Sequence, residues 1–333
     1  MGDHQRGLDL SIGVTTGLSI EKTLWFSSLA EKTNIHGIWV GEDIDRAHDV
    51  FTLTSLAILN TSNAKVGIGI TSPLVHNIST IARASATLQE IAAGRFRLGL
   101  GVGGLRDLAK KHIEIDNPRR ILLDAANLLR RVWLKEAVTY RGRFPLEDYS
   151  IRFAPSFGIP IYFGARGSKL LELAGEVADG VIVSGPRKYV ESAVASVRRG
   201  IEKRKEQDRP FRIVAWLPTI LIHKKEDMAM AKETVAIVAA DTPQSIIEAS
   251  KIESERTEKI REAVAKLGPR KASRYVTEEL IEDFSICGNA GQITQAFRSM
   301  TKHGVNEVVF GPPYGRSWRE AAVELMKAWG GKD

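Results

Sequence analysis

From Lys65 to Gly104 the chain reads as two short apolar runs, KVGIGI and FRLGLG, each ending in a glycine-rich turn, with ISTIARASATLQEIAAG between them at helical spacing. Neither run alternates apolar with polar residues, as a strand with one wet face would. Unbroken runs of this length suit parallel strands covered on both faces. A strand, a crossover helix and a second parallel strand form a βαβ unit, and ligands gather at the C-terminal ends of such strands. Those ends are residues 69–73 and 101–104, so a candidate site is expected there.

The same alternation runs through the chain. LDLSIGV (8–14) predicts a first strand, and Ser19 starts a helix as a partial cap, with Lys22 where a capping box would place an acid. GIWV (37–40) is a second strand ending in Glu42-Asp43. Asn117-Pro118 opens a long helix, proline being tolerated in the first turn. IPIYFGA (159–165), DGVIVSG, FRIVAWLPTILI and NEVVFG (306–311) supply strands five to eight, each followed by helical sequence, the last by the closing helix SWREAAVELMKAW. Residues 137–158 read as a polar, aromatic-rich loop, and 225–283 as a helical insertion too long for one crossover. Eight strands alternating with helices predict an α/β protein, a (β/α)₈ TIM barrel in one domain over 1–333, with the insertion between strands 7 and 8. A doubly wound sheet is the alternative. The charge-rich stretch 251–274 reads as solvated helix.

Composition narrows the chemistry. With one cysteine, Cys287, there is no internal disulfide framework and no thiolate metal cage. His36, His48, His76, His112, His223 and His303 show no metal-ligand spacing, so no metal is expected. A net charge of +7 raises nucleic acid as a partner, but the basic residues are interspersed with acids and lack interleaved aromatics, which points away from it and toward an acidic small ligand. No membrane-length apolar stretch or signal core is visible, and the cytoplasm is the expected location.

Four features carry candidate chemistry. Gly99-Leu100-Gly101-Val102-Gly103-Gly104 matches the dinucleotide pattern G-x-G-x-x-G, but at the fourth strand and before polar, broken sequence, so a backbone approaching a flat ligand is the better reading. Gly164, Ala165, Arg166, Gly167, Ser168 and Lys169 join a strand to a helix start, where backbone N–H groups and two cations suit a phosphate or carboxylate. Glu42 and Asp43 end strand two, where a carboxylate can bind ligand or act as acid/base. Ser72 and Ser184 lack the context of a serine nucleophile.

GIWVGED, KVGIGITSPLVHNISTIARASATLQEIAAGRFRLGLGVGG, IYFGARGSKLLELAGEVADGVIVSG and NEVVFGPPYG stand in the order found in the bacterial-luciferase-like superfamily. The chain most resembles its deazaflavin-dependent branch, typified by methylenetetrahydromethanopterin reductase. The resemblance implies a barrel that binds coenzyme F420, or alternatively FMN, at its C-terminal mouth. It also implies a non-prolyl cis peptide at Gly69–Ile70 and cofactor contacts on Asp43, Ile70, Thr71, Gly101 and Gly103; Gly69, Gly104 and Ser184 are further candidate cofactor contacts. Ala165, Arg166, Gly167 and Ser168 would meet the phosphate-bearing tail. The implied activity is hydride transfer between F420 and a small organic substrate, with Glu42 or Asp43 as catalytic residues and a homo-oligomer, dimer or tetramer, as the assembly. An FMN-dependent monooxygenase and a non-catalytic cofactor-binding barrel are the rival readings. The chain departs from the reductase pattern at Thr15 and Gly104, where many such enzymes carry acids; the nearest acid downstream of Gly104 is Asp107.

Overall fold

The computed structural model describes residues 7–33, 35–206 and 208–330. In chain order the elements begin β1 (Asp9–Thr15), α1 (Ile20–Thr33), β2 (Gly37–Gly41), α2 (Val50–Leu59), β3 (Lys65–Thr71), α3 (Ile78–Ile91) and β4 (Phe96–Leu100). They continue with α4 (Leu105–Lys110), α5 (Pro118–Trp133), β5 (Val138–Tyr140), β6 (Leu146–Tyr149), β7 (Ile161–Gly164), α6 (Ser168–Val177), β8 (Gly180–Val183) and α7 (Arg187–Ile201). The last part holds β9 (Arg212–Leu221), α8 (Lys225–Asp241), α9 (Gln244–Ala249), α10 (Ser254–Leu267), α11 (Pro269–Ala272), α12 (Glu278–Phe284), β10 (Ile286–Gly288), α13 (Ala290–Ser299), β11 (Glu307–Tyr314) and α14 (Trp318–Gly330).

The helix starts follow local chemistry. Ser19 Oγ accepts from the Lys22 N–H at 3.3 Å, and Asp49, Asn77 and Asn117 cap α2, α3 and α5 through their side-chain oxygens. Each cap satisfies a backbone donor that the first helical turn cannot. Pro118 stands in the first turn of α5, where its missing N–H costs nothing.

The chain divides into two compact units. The first comprises Ser11–Ile182 and Ser196–Arg212; the second holds Val183–Ala195, the chain from Ile213 onward and the start of β1. In the first unit β1, β2, β3, β4, β7 and β8 pair in that order, all parallel. Trp39 lies within it, fully buried; Gly67 leaves room for its ring, and the Arg97 guanidinium stacks 4.0 Å from the ring centroid. Residues 137–158, expected as a loop, contain the antiparallel β5–β6 hairpin. Parts of this segment run along α3: Tyr149 Oη donates to the Ser79 carbonyl near the start of that helix, and Ser156 binds Glu90 near its end.

In the second unit β9 pairs in parallel with β11 along Val214↔Glu307 and with β10 at Ile286↔Thr219. The three-residue β10 was not anticipated, being too short to carry a periodic signal. Helices α8–α12 enclose a core of their own, including Val235, Ile247, Ile260, Leu280 and Phe284. The expectation of a solvated 251–274 stretch is therefore corrected: α10 buries Thr257, Ile260, Ala263 and Val264 along one stripe, and its charges occupy the remaining faces.

Asp227, in the first turn of α8, is 1% exposed and accepts the backbone N–H groups of His223, Lys224 and Arg316 at 3.0, 2.9 and 2.7 Å. Burial opposes its ionisation, but the three donors outweigh it and hold the carboxyl below the usual carboxylate range. Its stabilising contribution is thus present above the unfolded-state pKa of about 4 and lost as pH falls through the lower folded-state value. Asp227→Ala should destabilise the protein by about 2 kcal/mol at neutral pH, read as a lowered urea midpoint, and the gap to wild type should narrow in acid. An equal gap at all pH values would show that the charge contributes nothing.

Candidate active site

The end of β3 is the focus. The Gly69–Ile70 peptide is cis, as the resemblance implied, and the β3–β4 register shifts between Ile68 and Thr71. The side chain of Ile70 lies against three glycines: Gly99 and Gly101 at the end of β4, and Gly164 at the end of β7. A Cβ on Gly164 would stand 2.6 Å from Ile70 Cγ2, one on Gly101 2.7 Å from its Cδ1, and one on Gly99 3.1 Å from Cγ2. The glycine run read from sequence as room for a ligand thus first makes room for Ile70, which remains partly exposed. Gly103 follows at φ +98°, a conformation that glycine adopts freely. Beside it Ser72 Oγ donates to the Val102 carbonyl at 2.7 Å and accepts the Leu74 N–H at 3.2 Å, tying the β3 turn to the β4 turn.

Of the two expected catalytic carboxylates, Glu42 is the more enclosed, its side chain 6% exposed. Its Oε2 accepts from Thr71 Oγ1 at 2.7 Å, and its Oε1 lies 2.6 Å from His76 Nε2. The hydrogen bond to Glu42 raises the His76 pKa above its ordinary value, against the opposing effect of burial, with the charges of Glu42 and Asp49 adding to the rise. Asp43 is exposed. Its N–H donates to Thr16 Oγ1 at 2.8 Å and its Oδ1 accepts the Asp45 N–H at 3.0 Å, while Oδ2 and Thr15 Oγ1 both border Gly17. Asp107 is paired with Lys110 at 3.1 Å, and Lys110 also holds Asp45 at 3.0 Å. Gly104 is the residue before α4 and is exposed.

The expected anion site forms the start of α6. Gly167 precedes the helix at φ +85°, with open space where a Cβ would stand; Arg166 and Ser168 are exposed, and Ala165 is buried. Ser184 follows β8 and belongs to the second unit. His76 is the residue that sequence reading missed. Tested only for metal spacing, it meets Glu42 from 34 positions away, a pairing that no local pattern reveals. It also lines a recess of about 500 Å³ whose other polar side chains are Asn77, His112, Glu114 and Arg143. Among the described residues no cluster of acids, histidines and cysteine is arranged to hold a metal ion, and no helix is long and apolar enough to cross a membrane.

The family model described as luciferase-like monooxygenase matches residues 8–307, and the chain belongs to that family. It is 28% identical to the 5,10-methylenetetrahydromethanopterin reductase of Archaeoglobus fulgidus over 91% of this chain and 92% of the relative. It is 31% identical to the reductase of the same name from Methanopyrus kandleri, over 90% of each. The solved coenzyme F420 dependent tetrahydromethanopterin reductase from Methanopyrus kandleri superposes with a TM-score of 0.83 at 24% identity, covering 97% of this chain and 98% of that one. This likeness shows the fold, which is the expected (β/α)₈ barrel.

Proposed function

We propose that the protein is an F420-dependent oxidoreductase of the methylenetetrahydromethanopterin reductase kind, transferring a hydride between the deazaflavin and a small organic substrate. The observation that carries this reading is the likeness, over nine-tenths of the chain, to reductases of that name. The site residues fit such a cofactor. Ile70 is a partly exposed apolar platform backed by glycines, suited to a flat ring, and the open, cation-flanked start of α6 suits an anionic tail. Asp43, Gly69, Ile70, Thr71, Gly101, Gly103 and Gly104 would border the ring; Ala165, Arg166, Gly167 and Ser168 would hold the phosphate; Ser184 is proposed as a further contact. When bound, F420 supplies the carbon that gives or takes the hydride.

The protein's own share is position and proton handling. Both Glu42 oxygens are engaged inside the protein, so Glu42 fixes the end of β3. Asp43, exposed and with its backbone anchored on Thr16, is the carboxylate placed to meet substrate. On this reading the chain is a single barrel domain that acts in the cytoplasm as a homo-oligomer, dimer or tetramer.

Parallel fluorescence titrations with F420 and FMN test the cofactor. Micromolar F420 binding, with FMN weaker by about tenfold or more (~1.4 kcal/mol), is the expected result. The reverse order would overturn the reading in favour of an FMN-dependent monooxygenase.

A further inference from the structure

Glu42, Thr71 and His76 form a continuous chain of contacts that ends at the platform. Thr71 Oγ1 and the His76 ring take one Glu42 oxygen each, at 2.7 and 2.6 Å, so the carboxylate bridges the last residue of β3 and the loop that follows it. That loop is itself a folded turn, the Val75 and His76 N–H groups both donating to the Ser72 carbonyl. Thr71 adjoins Ile70, whose side chain has little freedom among Gly99, Gly101 and Gly164. A shift of the Glu42 carboxylate therefore moves Thr71, and with it Ile70.

The surroundings of His76 make its charge decisive. Phe51 meets its ring edge-on at a centroid separation of 5.2 Å, and its side chain is 21% exposed. Glu42 and Asp49 are the acids whose charges reach it; across the recess stand His112, Glu114 and Arg143, the last donating to the Glu114 carbonyl and to Asp116 at 3.2 Å. The protonated ring neutralises a carboxylate that is almost wholly enclosed. Once deprotonated, the ring can still donate one hydrogen bond, but that bond no longer has the help of the ring's charge.

We propose that His76 is a positioning residue of the hydride-transfer site: its protonated ring anchors Glu42 and, through Glu42 and Thr71, sets the placement of Ile70. The step from placement to catalysis rests on the proposed function, in which Ile70 faces the cofactor; the placement itself does not. Positioning holds where the ring is protonated and fades as pH rises through the His76 pKa, which lies above the ordinary imidazole value.

The test uses the full-length protein without cofactor, labelled at isoleucine methyls and histidine carbons, in a pH titration followed by NMR. In wild type the Ile70 δ1-methyl signal should shift with the same midpoint as the His76 ring. In His76→Gln, which keeps an amide donor toward Glu42 but cannot titrate, the methyl signal should be flat with pH. In Glu42→Gln the His76 midpoint should fall, because the hydrogen bond that raises it is weakened. A methyl signal that ignores the His76 titration in wild type, or still follows it in His76→Gln, would overturn the proposal. F420 affinity measured across the same range separates the two readings. Coupling of His76 to Ile70 without F420 binding would leave the positioning intact and refute the cofactor, whereas F420 binding without coupling would do the opposite.

Discussion

Alanine at position 164 should push Ile70 off its seat and weaken F420 binding by about tenfold or more, or ~1.4 kcal/mol. The added methyl would stand 2.6 Å from Ile70 Cγ2, 3.2 Å from Cγ1 and 3.5 Å from Cβ. These atoms surround the branch point of a side chain that is stiff at χ1, so rotation relieves one contact by tightening another. The backbone of β3 must give, at an overpacking cost of about 1–3 kcal/mol. Alanine at position 101 should do less, because its new methyl meets chiefly Cδ1 at 2.7 Å and Cγ1 at 2.9 Å, the free end of the same side chain. The decisive comparison is Gly164→Ala with Gly164→Ala/Ile70→Ala, by urea midpoint and F420 titration. Removing the Ile70 side chain should recover most of the stability lost, since the two residues are in contact and their effects should not add. If Gly164→Ala alone binds F420 as wild type does, Ile70 is not the platform.

Asp43→Asn should reduce turnover by about 10²–10⁴-fold while leaving the fold nearly unchanged. Asparagine keeps the oxygen that accepts the Asp45 N–H, and the backbone donation to Thr16 Oγ1 is independent of the side chain. What it loses is the negative charge and the ability to exchange a proton beside Gly17. The assay is methylenetetrahydromethanopterin with reduced F420, and the control is Glu42→Gln, whose effect should appear in stability and cofactor affinity as well as in turnover. An Asp43→Asn variant with wild-type turnover would move proton handling to another group. Thr15 stands at the end of β1 beside Gly17, so a carboxylate introduced there would enter the same neighbourhood as Asp43.

The strands and the turns that end them were legible for a common reason. KVGIGI and FRLGLG are apolar on both faces and then stop at glycine, so burial and chain reversal are written in adjacent residues. The Gly69–Ile70 linkage was legible only by resemblance, since no residue type in that stretch dictates it. What stayed hidden depends on distant partners. Gly164 lies 94 positions from Ile70 in sequence, and only the pairing of β4 with β3 and β7 brings the three glycines to one side chain. His76 and Glu42 are separated in the same way. The β5–β6 hairpin escaped because VTY and LEDY are short and partly polar, and their pairing draws on a turn rather than on a buried face.

The helices α8–α12 pack around side chains drawn almost entirely from their own segment. Among the described residues of that cluster, Ile220 of β9 is the strand residue that is fully buried, and Cys287 of β10 packs against it. A segment of this kind behaves as a cassette. Another helical stretch could be spliced between β9 and β10 if it offers an apolar partner to Ile220 and a carboxylate at the place of Asp227 to hold the turn at Arg316. The strands would then keep their register, and an engineer could vary this part of the chain on its own.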